Sequence, residues 1–408
     1  MPSFLPPLLV VLIPLVGVAA MQLFLPVVAP LMMSAAGVEA TAYGWVAGAT
    51  GLGSVWLYMS NHGITPALGP VRTLRAGVAV LLVGAALCLT AVFPLVLLGA
   101  LLIGFGYASS TPAGSQIVAD HAPRAYWATL FSLRQAGVPL GGMIAGAFGG
   151  WLVTQTSWRM ALVWIALVTV TLAVPLILAP RSYNESRPRG AFRLSRVFDP
   201  GNLLRPFRAL TLAPGLSRLA AACVGFAVVQ SAVFSFLVLY LHDGLGYSLV
   251  VAGSLFAVMQ GASVLGRISF GFLADRIGSP RPVLMVLAAC SSASALLLAS
   301  LGPALPFVLL VGAALIVGAS VATWNGLYLA EAASMAPPEL VSEVTAGTTF
   351  FVFATYTVTP PLFGSLIDTF GYPSAFLAAS VAAACAGIVL VLGRHANHAA
   401  QREKPEQG

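Results

Sequence analysis

Long apolar runs alternate with short polar breaks along almost the whole chain. The runs fall at 8–33, 42–60, 76–93, 95–119, 129–152, 159–179, 217–241, 249–273, 282–301, 305–332, 344–366 and 374–393. A run of about 20 apolar residues crosses the roughly 30 Å hydrocarbon core as a helix. A helix also pairs every backbone polar group within itself, as lipid requires. The pattern predicts an all-α integral membrane protein of about twelve transmembrane helices. Its longest break, 180–216, divides the runs six and six. The expected parts are an N-terminal bundle over 1–179, a linker over 180–216, a C-terminal bundle over 217–393 and a polar tail over 394–408.

Composition removes the soluble alternative. The chain is 59% hydrophobic and 8% charged, against about 25% charged in soluble domains. Charge also orients it. With both ends cytoplasmic, the loops 61–75, 120–128, 180–216, 274–281 and 333–343 lie inside, and of 19 Lys and Arg only Arg159 falls outside. The positive-inside rule selects that arrangement, so the expected location is a cytoplasmic (inner) membrane with both termini and the linker inside. The net charge of +7 is then a property of loops and calls for no nucleic-acid partner. The linker, with arginines from Arg181 to Arg208, is either a plain basic loop or a partly amphipathic segment at anionic headgroups. The first run lacks a basic start and a cleavage site, and reads as a retained span. The four cysteines stand singly in apolar runs, so neither a disulfide framework nor a metal site is expected. No phosphate-binding loop is present, which argues against direct ATP drive.

The stretch from Gly266 to Arg281, GRISFGFLADRIGSPR, joins two apolar runs through a two-signed charged turn. Gly271, Asp275, Arg276, Gly278 and Arg281 resemble the G-x-x-x-D-R-x-G-x-[RK] signature between neighbouring helices of major facilitator superfamily transporters. A shift of 209 sets Gly69 on Gly278 and Arg72 on Arg281, with Pro66 at the place of Asp275; a shift of 211 sets Asp120 on Glu331. The resemblance implies two pseudo-symmetric six-helix bundles with a small-molecule substrate between them near the midplane. The chain is expected to act as a monomer. In that fold helices 1, 2, 4, 5, 7, 8, 10 and 11 face the central path. Strongly polar side chains are costly in hydrocarbon, and Gln22, Gln116, Arg134, Gln135, Gln230, Gln260, Arg267, Asn325 and Glu331 all fall on those helices.

Arg267 lies eight residues before Asp275, roughly 12 Å deeper along a helix, with Gln260 on its face. A forked, permanently charged donor suits a carboxylate. Monocarboxylate transporters are similar in carrying a helix 8 arginine that engages the substrate carboxylate, four residues before a glycine, as Arg267 precedes Gly271. The other reading makes Arg267 part of a cytoplasmic gate. Arg134 is either a second basic wall or a surface anchor paired with Asp120. Gly137, Pro139, Gly141 and Gly142 resemble the helix 5 antiporter signature with its proline displaced by one, and read as a bendable segment or a plain kink. Glu331 is either a proton-coupling acid or a clasp for Arg276 or Arg281, with Asp120 matched to Arg72 or Arg75. Trp324 and Asn325, with Gln22 and Gln230, are candidate substrate contacts or interhelical glue. Pro360 and Pro361 are expected to break helix 11.

These features define a secondary active transporter or facilitator working by alternating access, without a cofactor, its coupling to a proton or ion gradient left open. Its expected cargo is a small organic anion such as a monocarboxylate. One alternative is an efflux pump for lipophilic compounds, lined by Trp45, Trp56, Tyr240, Phe351 and Tyr356. Another is a non-transporting receptor or scaffold that keeps the fold.

Overall fold

The computed structural model describes residues 5–121, 133–184, 199–303, 305–335 and 341–402, which are helical with short connections and hold no strand. The first half comprises α1 (Leu5–Ala35), α2 (Tyr43–Leu68), α3 (Pro70–Cys88), α4 (Phe93–Val118), α5 (Leu133–Gln155) and α6 (Trp158–Leu178). The second comprises α7 (Leu216–Gly244), α8 (Leu249–Ile277), α9 (Pro280–Ala299) and α10 (Phe307–Ala332). A final helix, Val341–Arg402, follows, and Gly371 (φ 79°, ψ 168°) divides it into α11 (341–370) and α12 (372–402). Ten of the described helices are long and apolar enough to cross a membrane. The division at Gly371 turns the tenth into two, and α2, at 26 residues, is long enough at about 1.5 Å per residue. Thr50, Ser54, Ser60 and Thr65 are buried along α2.

Two expected loops nearly vanish. Segment 61–75 is helical except at Gly69, whose φ of 86° leads directly into Pro70 at the start of α3. Segment 274–281 contracts to Gly278 (φ 73°) and Ser279 ahead of Pro280. Glycine takes a positive φ without a Cβ clash, and proline fits the first helical position because the N–H it lacks has no acceptor there. Helices therefore turn back within one or two residues, and the sequence repeat becomes a backbone repeat. The break expected at Pro360–Pro361 does not occur, since α11 stays helical through both prolines, and the chain turns at Gly371 between the runs 344–366 and 374–393. The tail is partly helical too, since α12 runs on to Arg402.

The turns at Gly69 and Gly278 carry Arg72, Arg75, Arg276 and Arg281, and define a basic face of the molecule. At that face Arg75 donates to Leu176 O at 2.9 and 2.6 Å and to Ile177 O at 3.2 Å. Arg281 donates to Leu390 O at 3.0 Å. Each half thus ties the start of its third helix to carbonyls of its sixth, and in the first half the cation also meets the negative end of the α6 dipole. The linker adds a short helix, Arg205–Ala209, whose Phe207 packs edge-on to Phe351 of α11 at 5.3 Å. Linker residues 185–198 lie outside the described residues.

Within the first half α1 packs on α5 and α6, and α4 on α2 and α3; within the second, α7 packs on α11 and α12, α8 on α10 and α9 on α12. Across the halves α2 meets α11 and α5 meets α8. The glycine contacts between halves lie on the side away from the basic face. A Cβ on Gly48 would stand 2.7 Å from Thr357 O, and one on Gly146 2.5 Å from Gly253 O. Backbone meets backbone there because no side chain intervenes.

Candidate functional site

Between the halves lies a cavity of about 240 Å³, many times the 10–15 Å³ that one water needs. Its walls come from α1, α2, α4, α5, α7, α8, α10 and α11, and from none of α3, α6, α9 and α12. This is the division that the polar positions of the sequence follow.

The polar floor is built from α7, α10 and α11. Gln230 Oε1 accepts from Asn325 Nδ2 at 3.1 Å and from the Tyr356 hydroxyl at 2.9 Å. Gln22 faces them from α1, and its Oε1 is buried without a hydrogen-bond partner among the described residues. Arg267 lines the cavity from α8. Its Nε is buried with no hydrogen-bond partner, and its guanidinium makes no ion pair among the described residues. Its electrostatic neighbours are the phenols of Tyr107 and Tyr356. No carboxylate stands in the described cavity wall, so the cavity carries a net positive charge.

Arg134 stands behind this wall. It is 2% exposed and donates to Thr111 O at 2.9 Å, to Ser110 O at 3.5 Å and to Gln135 Oε1 at 3.4 Å. The carbonyls it meets directly follow an interruption of α4 at Ser109. Pro112 accounts for that interruption, because it has no N–H to offer the preceding turn and its ring crowds it. Arg134 therefore braces α4 and holds Gln135, which does reach the cavity. Its expected place as a second basic wall is corrected to this bracing one.

Two further expectations change. Gln260 is fully buried, absent from the cavity wall and pressed on Gly142 of α5, where any Cβ would collide with its side chain. Trp324 is also fully buried and stacks on Phe226 of α7, with centroids 5.2 Å apart and planes 17° off parallel. Both are packing residues because their helix faces meet a neighbouring helix, not the cavity. Of the five aromatics expected to line a lipophilic path, only Tyr356 reaches it. Trp45 is 58% exposed on the outer surface, and the Tyr240 hydroxyl donates to Leu298 O at 3.0 Å.

The remaining expectations concern the gate and the helix 5 bend. Glu331 lies with Arg218 and Arg281 around a small recess at the basic face, away from the cavity. Arg276 lies over its own helix's Phe272 ring at 4.8 Å rather than on Glu331. Gly271 has open space around it, and Arg72 stands in the first turn of α3. The side chains of Asp120 and Asp275 lie outside the described residues. In α5, Gly137 and Gly141 receive α1, Gly142 receives α8, and Pro139 is buried in the same turn.

Sequence reasoning missed Tyr58, Tyr107 and Tyr328, all on the cavity wall. A tyrosine costs little in an apolar span because its ring is apolar and one hydroxyl is easily paired. The signal available was that these rings sit on three of the path-facing helices.

A membrane-spanning bundle whose two halves enclose a polar cavity is the architecture of a solute transporter. Residues 10–354 match the Major Facilitator Superfamily family model, and the chain belongs to that family. It is a multi-pass membrane transporter of small molecules, not an enzyme. It is 27% identical over 332 residues to an uncharacterised MFS-type transporter of Mycobacterium tuberculosis, covering 79% of this chain and 68% of the relative. It is 26% identical over 186 residues to the cis,cis-muconate transport protein of Acinetobacter baylyi, covering 42% of each. Among solved structures it is similar to a POT family transporter in complex with 5-aminolevulinic acid, with TM-score 0.75, 14% identity and 95% of each chain covered. It is likewise similar to a human organic anion transporter, with TM-score 0.70, 16% identity, and 96% of this chain and 100% of the other covered.

Proposed function

We propose that this transporter moves a small organic anion, with monocarboxylates in its range, by alternating access of two bundles, 1–179 and 217–393. Arg267 carries the reading. It is a charged group on the cavity wall whose buried Nε has no hydrogen-bond partner among the described residues, in a cavity whose described wall holds no carboxylate. A buried cation is stable only when paired or solvated, and a carboxylate supplies the fork-to-fork geometry that guanidinium favours. The partial similarity to a muconate transport protein points to the same substrate class. The chain acts as a monomer in the cytoplasmic membrane, with its basic face and both termini inside. The glycine contacts then close the outer side, and Gly271, Asp275, Arg276, Gly278, Arg281, Glu331, Asp120 and Arg72 form the inner gate and its hinges. Glu331 serves that gate rather than proton coupling, since it stands by Arg281 and off the cavity. The lipophilic-efflux reading is the weaker one, because the cavity aromatics are mostly tyrosines that present hydroxyls.

Uptake of a radiolabelled monocarboxylate into proteoliposomes tests the reading. Arg267→Ala is expected to lower uptake roughly 30-fold or more, and Arg267→Lys to restore only part of it because ammonium lacks the fork. Uptake equal to the parent in Arg267→Ala removes Arg267 as the anion ligand.

A further inference from the structure

The cavity wall says more about the anion than its charge. Aromatic residues outnumber branched aliphatic ones along it, and several of the rings are held in place. The Tyr356 hydroxyl is fixed on Gln230 Oε1 at 2.9 Å. Its ring lies 5.5 Å from Phe353 at 71°, and Phe353 lies 4.6 Å from Tyr58 of the other half at 46°. A continuous aromatic surface therefore runs from Tyr58 through Phe353 to Tyr356. It ends beside Arg267, with Tyr107 as that arginine's other phenolic neighbour.

We infer that the solute is a planar, conjugated carboxylate, an aromatic or dienoic acid, with its carboxylate on Arg267 and its π system along Tyr356, Phe353 and Tyr58. The inference rests on the anion reading above and narrows it. Area burial alone does not separate a flat ring from a saturated one of equal carbon number, because both remove similar apolar surface from water. Ring edges and faces do separate them, since a quadrupole meets another π system in offset or edge-to-face contact and meets a saturated ring without that term.

Benzoate, sorbate and cyclohexanecarboxylate carry the same charge at neutral pH and differ in the chemistry of the attached carbons. Their binding to the purified full-length protein, measured by isothermal titration, tests the inference. Benzoate and sorbate are expected to bind about tenfold tighter than cyclohexanecarboxylate, the combined effect of two aromatic contacts. In Phe353→Leu that preference is expected to fall below about threefold while carboxylate binding persists. The parent measurement stands whether or not that variant folds. Equal affinity for benzoate and cyclohexanecarboxylate in the parent overturns the inference and leaves the anion reading standing. An undiminished preference in folded Phe353→Leu also overturns it. Binding of none of the three acids by the parent overturns both readings together.

Discussion

Gln230 draws three helices together through one oxygen, which accepts from both Asn325 and Tyr356. Removing that acceptor leaves two donors in a region the protein largely shields from water. Gln230→Leu is expected to destabilise by about 1–3 kcal/mol and to lower the thermal unfolding midpoint in detergent. Gln135→Leu, whose amide oxygen accepts from Arg134 at a long 3.4 Å, is expected to lower it less. The cost of polar groups in lipid picked out Gln22, Gln230, Arg267 and Asn325 from the sequence, and all four stand on the cavity wall. The same argument drew in Gln260, seven residues from Arg267 and nominally on its face. Spacing along one helix does not say where the neighbouring helix begins, and Gly142 of α5 covers the surface at Gln260. The tyrosines escaped notice for the opposite reason: they are too cheap in lipid to stand out.

At the scale of elements, α5 meets its neighbours through glycines. Gly141 and Gly149 receive α1, while Gly142, Gly146 and Gly150 receive α8, so two rows four residues apart serve two partners. The sequence marked Gly137, Pro139, Gly141 and Gly142 as a bendable segment whose glycines allow close helix contact, and the close contacts run on to Gly146, Gly149 and Gly150. Gly146→Val places new atoms against Gly253 O, already within 2.5 Å of a Cβ. Overpacking of this kind costs about 1–3 kcal/mol. Because the contact exists only while that side is closed, the expected result is a roughly 5- to 150-fold loss of the closed population. Uptake should fall while the unfolding midpoint stays near the parent's. A large drop in the midpoint with uptake intact would contradict this account. The turns at Gly69 and Gly278 teach a related lesson. Their glycines and following prolines were plain in the sequence, yet polar residues around them read as loop. Helices continue into polar sequence once outside hydrocarbon, because water restrains their surface no longer than it does any soluble helix's.

For the molecule as a whole, the number of helices, the grouping of eight around a cavity and the family were legible in the apolar runs, the polar positions and the signature at Gly271–Arg281. The seam between α5 and α8 was not, since it depends on which glycines oppose each other across more than a hundred residues. That seam offers a test of the proposed cycle. Gly150 and Val250 adjoin, with a Cβ on the first 3.2 Å from the second's Cα. Joining Gly150→Cys to Val250→Cys by oxidation is expected to stop uptake, and reduction to restore it. Uptake that continues through the cross-link would mean that this side never opens. The composition of the seam carries a further consequence. It is peptide carbonyl laid against α-carbon, with no charged pair among its described glycine contacts. Ionic strength and proton concentration therefore have little grip on it, whereas hydrostatic compression and bilayer lateral tension act directly on so dense a join. A cell that stretches or stiffens its membrane would shift this equilibrium where one that alters its salt would not.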